Sequence, residues 1–186
     1  MAATVRAGFA LFLVAAALVA GSAAADQDNP ALDDLFQALY EASARAEVRA
    51  VEAAIQRLWE DSGSDTADLL LSRGTAALNA GNYEAALQTL SAVVELAPEF
   101  AEGWNRRATL FFVMGRLDDS IADIERTLTL APRHYGALAG LGQIYVIEDQ
   151  PEDAVRAFRR ALAANPHLTL ARRFLEALGG SGGLEI

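Results

Sequence analysis

PEFAEGWNRRATLFFVMGRLDDSIADIERTLTLAP, residues 98–132, begins and ends on proline and carries Gly115 near its middle. Apolar residues recur at helical spacing on both sides of that glycine, and Val113-Met114-Gly115-Arg116 reads as a turn. The second helix must stop before Pro132, because proline lacks an N–H and drives the residue before it out of the helical region. The stretch is therefore a helical hairpin. Working outward, Pro98, Pro132 and Pro166 are spaced by 34 and again by 34 residues, and whole columns share that step. Gly81, Gly115 and Asp149 align at the turn; Gly74, Ala108 and Gly142 face Ala86, Ser120 and Ala154 as small residues that let the two helices of a hairpin approach closely; Leu90, Ile124 and Phe158 fill the space beside them. Pro151 suits the first position of a helix, where a missing donor costs nothing.

This pattern resembles the tetratricopeptide repeat family, whose large, small, aromatic and proline positions fall on Trp104, Ala108, Phe111, Ser120, Ile124, Thr127 and Pro132. A second copy matches through Leu138, Gly142, Tyr145, Ala154, Phe158, Ala161 and Pro166, and an earlier one through Leu70, Gly74, Ala77, Ala86, Leu90 and Pro98. The resemblance implies an all-α, right-handed α-solenoid with repeats at 67–100, 101–134 and 135–168. An amphipathic segment at 169–179 would cap the open end, with 180–186 as a flexible tail. In the segment 26–64, two further helices are expected, one starting at Asn29-Pro30 and one carrying Val48, Val51, Ile55, Leu58 and Trp59. They lack the 34-residue register, which leaves three placements open: stacked on the first repeat, folded into the array's own groove, or docked separately.

The first 25 residues read as a signal peptide: Arg6, an apolar run from Gly8 to Ala20, and Ala23-Ala24-Ala25 as the cleavage site. The competing reading is a retained inner-membrane anchor over the uncharged run Ala7 to Ala25; the Gly21-Ser22 break and alanine-rich end favour cleavage. Export to a bacterial periplasm is the expectation, suggested by an alanine-rich composition in which every basic side chain is arginine.

The chain has no cysteine, which excludes disulfides, thiolate nucleophiles and zinc–thiolate sites. A net charge of -10 disfavours nucleic acid. The only two histidines, His134 and His167, sit beside repeat prolines and read as turn residues rather than metal ligands. No spacing suggests a catalytic triad or phosphate loop, so neither catalysis, a cofactor nor a metal is expected. Arg107 stands 16 residues before Asp123, where the facing helix of the same hairpin presents a carboxylate, and a structural ion pair between them is predicted. The acidic stretch 26–65 and the arginines Arg156, Arg159, Arg160, Arg172 and Arg173 predict a chain polarised end to end, read chiefly as solvated faces; membrane contact is not favoured.

The resemblance also implies a concave groove lined by the first helix of each hairpin. The family's groove positions fall on Leu71, Thr75, Leu78, Asn79, Asn105, Thr109, Phe112, Val113, Gln143, Val146 and Ile147, with Asp68, Glu102 and Ala139 beside them. Leu71, Thr75, Gly136 and Gly140 occupy positions where relatives that clamp a carboxylate place basic and amide groups, which argues against such a clamp here. The expected function is a non-enzymatic adaptor that binds an apolar or amphipathic protein segment in this groove. The alternative is a structural, self-assembling envelope protein whose groove its own N-terminal helices fill.

Overall fold

The computed structural model describes residues 29–181, so the expected signal peptide lies outside the described residues. These residues form nine helices and no strand: α1 (Pro30–Glu41), α2 (Arg45–Trp59), α3 (Asp65–Asn79), α4 (Tyr83–Leu96), α5 (Ala101–Val113), α6 (Leu117–Leu130), α7 (Tyr135–Ile147), α8 (Pro151–Ala164) and α9 (Thr169–Ser181). Pairs α3–α4, α5–α6 and α7–α8 are the three hairpins of the array, and α9 covers its end.

The same backbone chemistry closes each hairpin. Gly81, Gly115 and Asp149 all take positive φ, 75°, 73° and 56°, at the position just past the first helix. Asn82, Arg116 and Gln150 then donate their N–H groups back to the carbonyls of Ala77, Phe111 and Tyr145, at 2.9, 2.9 and 2.8 Å, satisfying groups the helix end would otherwise leave unpaired. Aspartate replaces glycine in the third turn because its short polar side chain tolerates the left-handed region better than most.

The small-residue columns set the distance between the helices of a pair. A Cβ at Gly142 would lie 2.7 Å from the Phe158 ring, and one at Gly74 2.7 Å from Leu90. At the equivalent place Ala108 is tolerated, and the buried Ser120 donates its hydroxyl to the Ala108 carbonyl at 2.8 Å. Phe158 is fully buried and stacks on Phe174 of α9, centroids 4.9 Å apart, so the capping helix completes the core of the last repeat. Successive first helices, α3, α5, α7 and α9, approach one another more closely than the second helices do. The array therefore curves with the first helices on its inner side.

The N-terminal pair takes neither of its two repeat-based placements. Its core of Leu32, Phe36, Leu39, Ile55 and Trp59 packs on Tyr135 and Ala164, at the turns between repeats, rather than stacking on α3 and α4. Trp59 stacks on His134 with ring centroids 4.0 Å apart, Arg133 lies over Phe36 and bonds Asp33, Asn165 donates to Glu52 at 2.8 Å, and His167 Nε2 meets the Leu39 carbonyl at 2.9 Å. The hairpin is thus a brace along one edge of the array. This corrects the expected end-to-end polarity: the acidic segment lies alongside the repeats, with Asp33, Glu52 and Glu60 engaged by groups of the array.

Candidate partner-binding groove

Between the inner faces of α5 and α7 lies an open depression of about 330 Å³, floored by Ser120 and Ile124 of α6. Five of the residues assigned to the groove line it: Asn105, Thr109, Phe112 and Val113 from α5, and Gln143 from α7. On the α7 wall Gly136 and Gly140 stand without side chains beside Ala137, Gln143 and Ile144. No residue of α1 or α2 lines it.

The other assigned residues stand elsewhere. Leu71 is buried in the core formed with Leu90, Val93, Phe100 and Leu110, so it is a packing residue rather than a groove contact. Leu78 is half-buried against the same core, Thr75 is half-buried, and Asn79 is exposed at the end of α3. Val146 packs toward α8 and α9, and Ile147 projects into solvent. Ala139 is buried against Leu138 and Ala161, and Asp68 accepts from the Ser62 N–H and hydroxyl ahead of α3.

Glu102 departs furthest from its expected role. It is 1% exposed and bonded to Gln56 of the N-terminal brace. His134 Nε2 lies 2.9 Å away, Gln56 donates at 3.2 Å and Asn105 at 3.0 Å, while Arg106 Nε sits 2.6 Å from it as an ionic contact without hydrogen-bond alignment. Ala137 donates its N–H to His134 Nδ1 at 3.1 Å, so that nitrogen carries no proton and Nε2 is the donor to Glu102. Burial alone would push the Glu102 carboxyl up; the hydrogen bond and electrostatic pull of His134, with Arg106 and Asn105, outweigh it and hold the carboxyl below its ordinary range. Arg106 also bonds Glu60 at 2.9 Å, so its guanidinium is committed to two acids of the edge network.

On the other side of α5, Arg107 meets Asp123 as predicted residues of one pair, Nε to Oδ2 at 2.7 Å and Nη2 to Oδ1 at 2.9 Å. The guanidinium is sandwiched as well, 5.0 Å from the Trp104 ring and 5.5 Å from Phe111. Arg73, the equivalent in the preceding repeat, is exposed. The two histidines do not meet each other; each anchors the brace, which a sequence reading of them as turn residues missed.

A tetratricopeptide repeat profile matches residues 38–101, 71–133 and 105–169. A TPR repeat-containing protein of Rhizobium etli is 38% identical over 135 residues, covering 73% of this chain and 66% of that protein, just under two thirds of its length. Among solved structures, the first TPR of Spaghetti bound to the HSP90 peptide SRMEEVD superposes with a TM-score of 0.61 at 19% identity, covering 63% of this chain and 94% of that one. MamA superposes with a TM-score of 0.60 at 16% identity, covering 77% and 87%. The repeat columns, the shared turn geometry and these matches together establish that the chain belongs to the tetratricopeptide repeat family, whose members mediate protein–protein interaction.

Proposed function

We propose that this chain is a non-enzymatic adaptor of the bacterial periplasm that holds a segment of a partner protein in the depression between α5 and α7. The observation that carries the reading is an open, mainly apolar concavity on the inner face of a repeat array, with Phe112 at its wall and amide side chains at its rim. Such a site can take the apolar face of a helix or an extended segment and fix its register through hydrogen bonds. The lining brings together no nucleophile and base, and the two buried carboxylates nearby are engaged, Glu102 with His134 and Asn105 and Asp123 with Arg107. Self-occupancy by the N-terminal helices is disfavoured, because they lie along the turn edge and leave the depression open. Export rests on the residue pattern of positions 1–25 alone.

Affinity capture from envelope extract with residues 26–186, beside a Phe112→Asp variant shown by circular dichroism to be folded, tests the binding role. A partner retained by the parent and lost by the variant, with its binding segment then reproduced as a synthetic peptide, is expected; identical captures would overturn groove binding. Amino-terminal sequencing of the exported chain should begin at Asp26, and a chain retaining Met1 would overturn cleavage.

A further inference from the structure

Resting on the groove reading above, a sharper statement about the partner follows from which polar atoms the depression leaves free. Asn105 faces Glu102, a buried carboxylate held in its ionised form, and a carboxylate only accepts hydrogen bonds. The Asn105 amide must therefore turn its NH2 inward, at 3.0 Å from Glu102 Oε2, and its carbonyl oxygen outward. Gln143 gives its Nε2 to the Ala139 carbonyl at 3.4 Å, another group that can only accept, and this leaves its Oε1 uncommitted. Thr109 donates its hydroxyl to the backbone carbonyl of Asn105 at 2.9 Å and keeps its lone pairs. These three polar side chains thus all present acceptors, and Ser120 on the floor likewise spends its hydroxyl hydrogen on the Ala108 carbonyl.

The charges beside it agree. Among the described residues, no cation lines the depression. Arg106, next to Asn105 in the sequence, is taken by Glu60 and Glu102, two carboxylates on one guanidinium. Arg107 is turned to the other side of α5 and neutralised by Asp123. The whole chain carries -10. We infer that the segment bound here is a cationic amphipathic one, whose apolar stripe fills the concavity against Phe112 and whose lysine or arginine donors meet Asn105, Thr109 and Gln143. A terminal carboxylate would face those acceptors with no lining cation to meet it. Glu102 acts as a positioning residue: it touches no partner but fixes the outward face of Asn105, and the brace through Gln56 in turn holds Glu102.

The test uses the mature chain and two fluorescein-labelled, helix-forming peptides that share one leucine stripe and differ only in carrying lysine or glutamate at the flanking positions. Binding is read by fluorescence anisotropy at about 0.15 M salt, where distant surface charges are screened. The lysine peptide is expected to bind roughly tenfold or more tightly, the worth of one or two hydrogen bonds. Phe112→Asp should abolish binding of both peptides to the depression, and Gln143→Lys, a half-buried rim position that tolerates exchange, should reverse the preference. Glu102→Gln frees the Asn105 amide to turn and should narrow the gap while circular dichroism still reports the fold. A groove-dependent preference for the glutamate peptide would overturn this inference and leave the groove reading standing. A lysine preference unchanged by Gln143→Lys would also overturn it, as general attraction to an acidic chain. Binding of both peptides that ignores Phe112 would sink the groove reading itself.

Discussion

The array and the N-terminal brace are both built from helical hairpins, but they are held by opposite kinds of contact. In the array one set of contacts is used three times: a left-handed turn residue, a small residue against a large one, and a proline stop. Each repeat needs only its neighbour, as in any solenoid. The brace uses each of its contacts once, and they reach across the chain: Gln56 to Glu102, Asp33 to Arg133, Glu52 to Asn165 and Leu39 to His167. It ties the starts of α5, α7 and α9 together. Local stacking makes the array, whereas the brace constrains how successive repeats are angled and hence how open the depression is.

The largest break in that comparison lies in the array. Phe158→Ala removes a fully buried ring that fills the space beside Gly142 and carries Phe174 of the cap. A loss of about 3–5 kcal/mol is expected, visible as a lowered denaturant midpoint for the entire chain. A midpoint unchanged from the parent would mean that α9 and α8 do not share one core.

Trp59→Ala strikes the brace instead. It deletes the stack on His134 and the contacts with Phe36 and Tyr135, at a cost of about 3 kcal/mol. Because the loss is local, hydrogen exchange should show amides of α1 and α2 losing protection while α4, α6 and α8 keep theirs. Uniform loss throughout would show that the brace is an integral layer of the core and remove the distinction drawn above. Asp123→Ala, within a single repeat, strands the Arg107 guanidinium between Trp104 and Phe111. About 1–3 kcal/mol is expected, and a melting curve that overlays the parent's would rule out a stabilising role for the pair.

The array was legible because repetition supplies its own control: a glycine at one turn is weak evidence, but Gly81, Gly115 and Asp149 at one column fix a backbone conformation. The Arg107 to Asp123 separation could be read for the same reason, since the facing helix is known once the period is. The brace offered no such control. Its helices could be found from their apolar stripes, but their docking depends on single aromatic and polar contacts between residues up to 128 positions apart. In the groove, α5 supplied most of the lining anticipated from the sequence, while Leu71 and Glu102 were misplaced. Leu71 follows the core of the first repeat, and Glu102 is claimed by His134 and Gln56, partners that only the docked brace brings within reach.

The smallest expected effect is a titration, and it tests whether Glu102 joins the two regions. Its carboxyl lies below the usual glutamate value of 4.5 in the folded chain, because the His134 and Asn105 donors and the Arg106 charge overcome the burial that would raise it. A group with a depressed folded pKa binds its proton more readily when unfolded, so its contribution is complete above 4.5 and disappears as pH falls through the folded value. Between pH 7 and pH 5 stability should therefore be flat with respect to this group, and the loss should begin only below about 4.5. Glu102→Gln removes that acid limb while lowering the plateau, since glutamine cannot serve three donors and the Arg106 charge as a carboxylate does. If the limb belongs to the brace, protection of the α2 amides should fall before that of α6 on acidification in the parent, and the two should no longer separate in the variant. Parallel loss in both helices of the parent would show that protonating Glu102 acts on the array directly, through α5, rather than by releasing the brace.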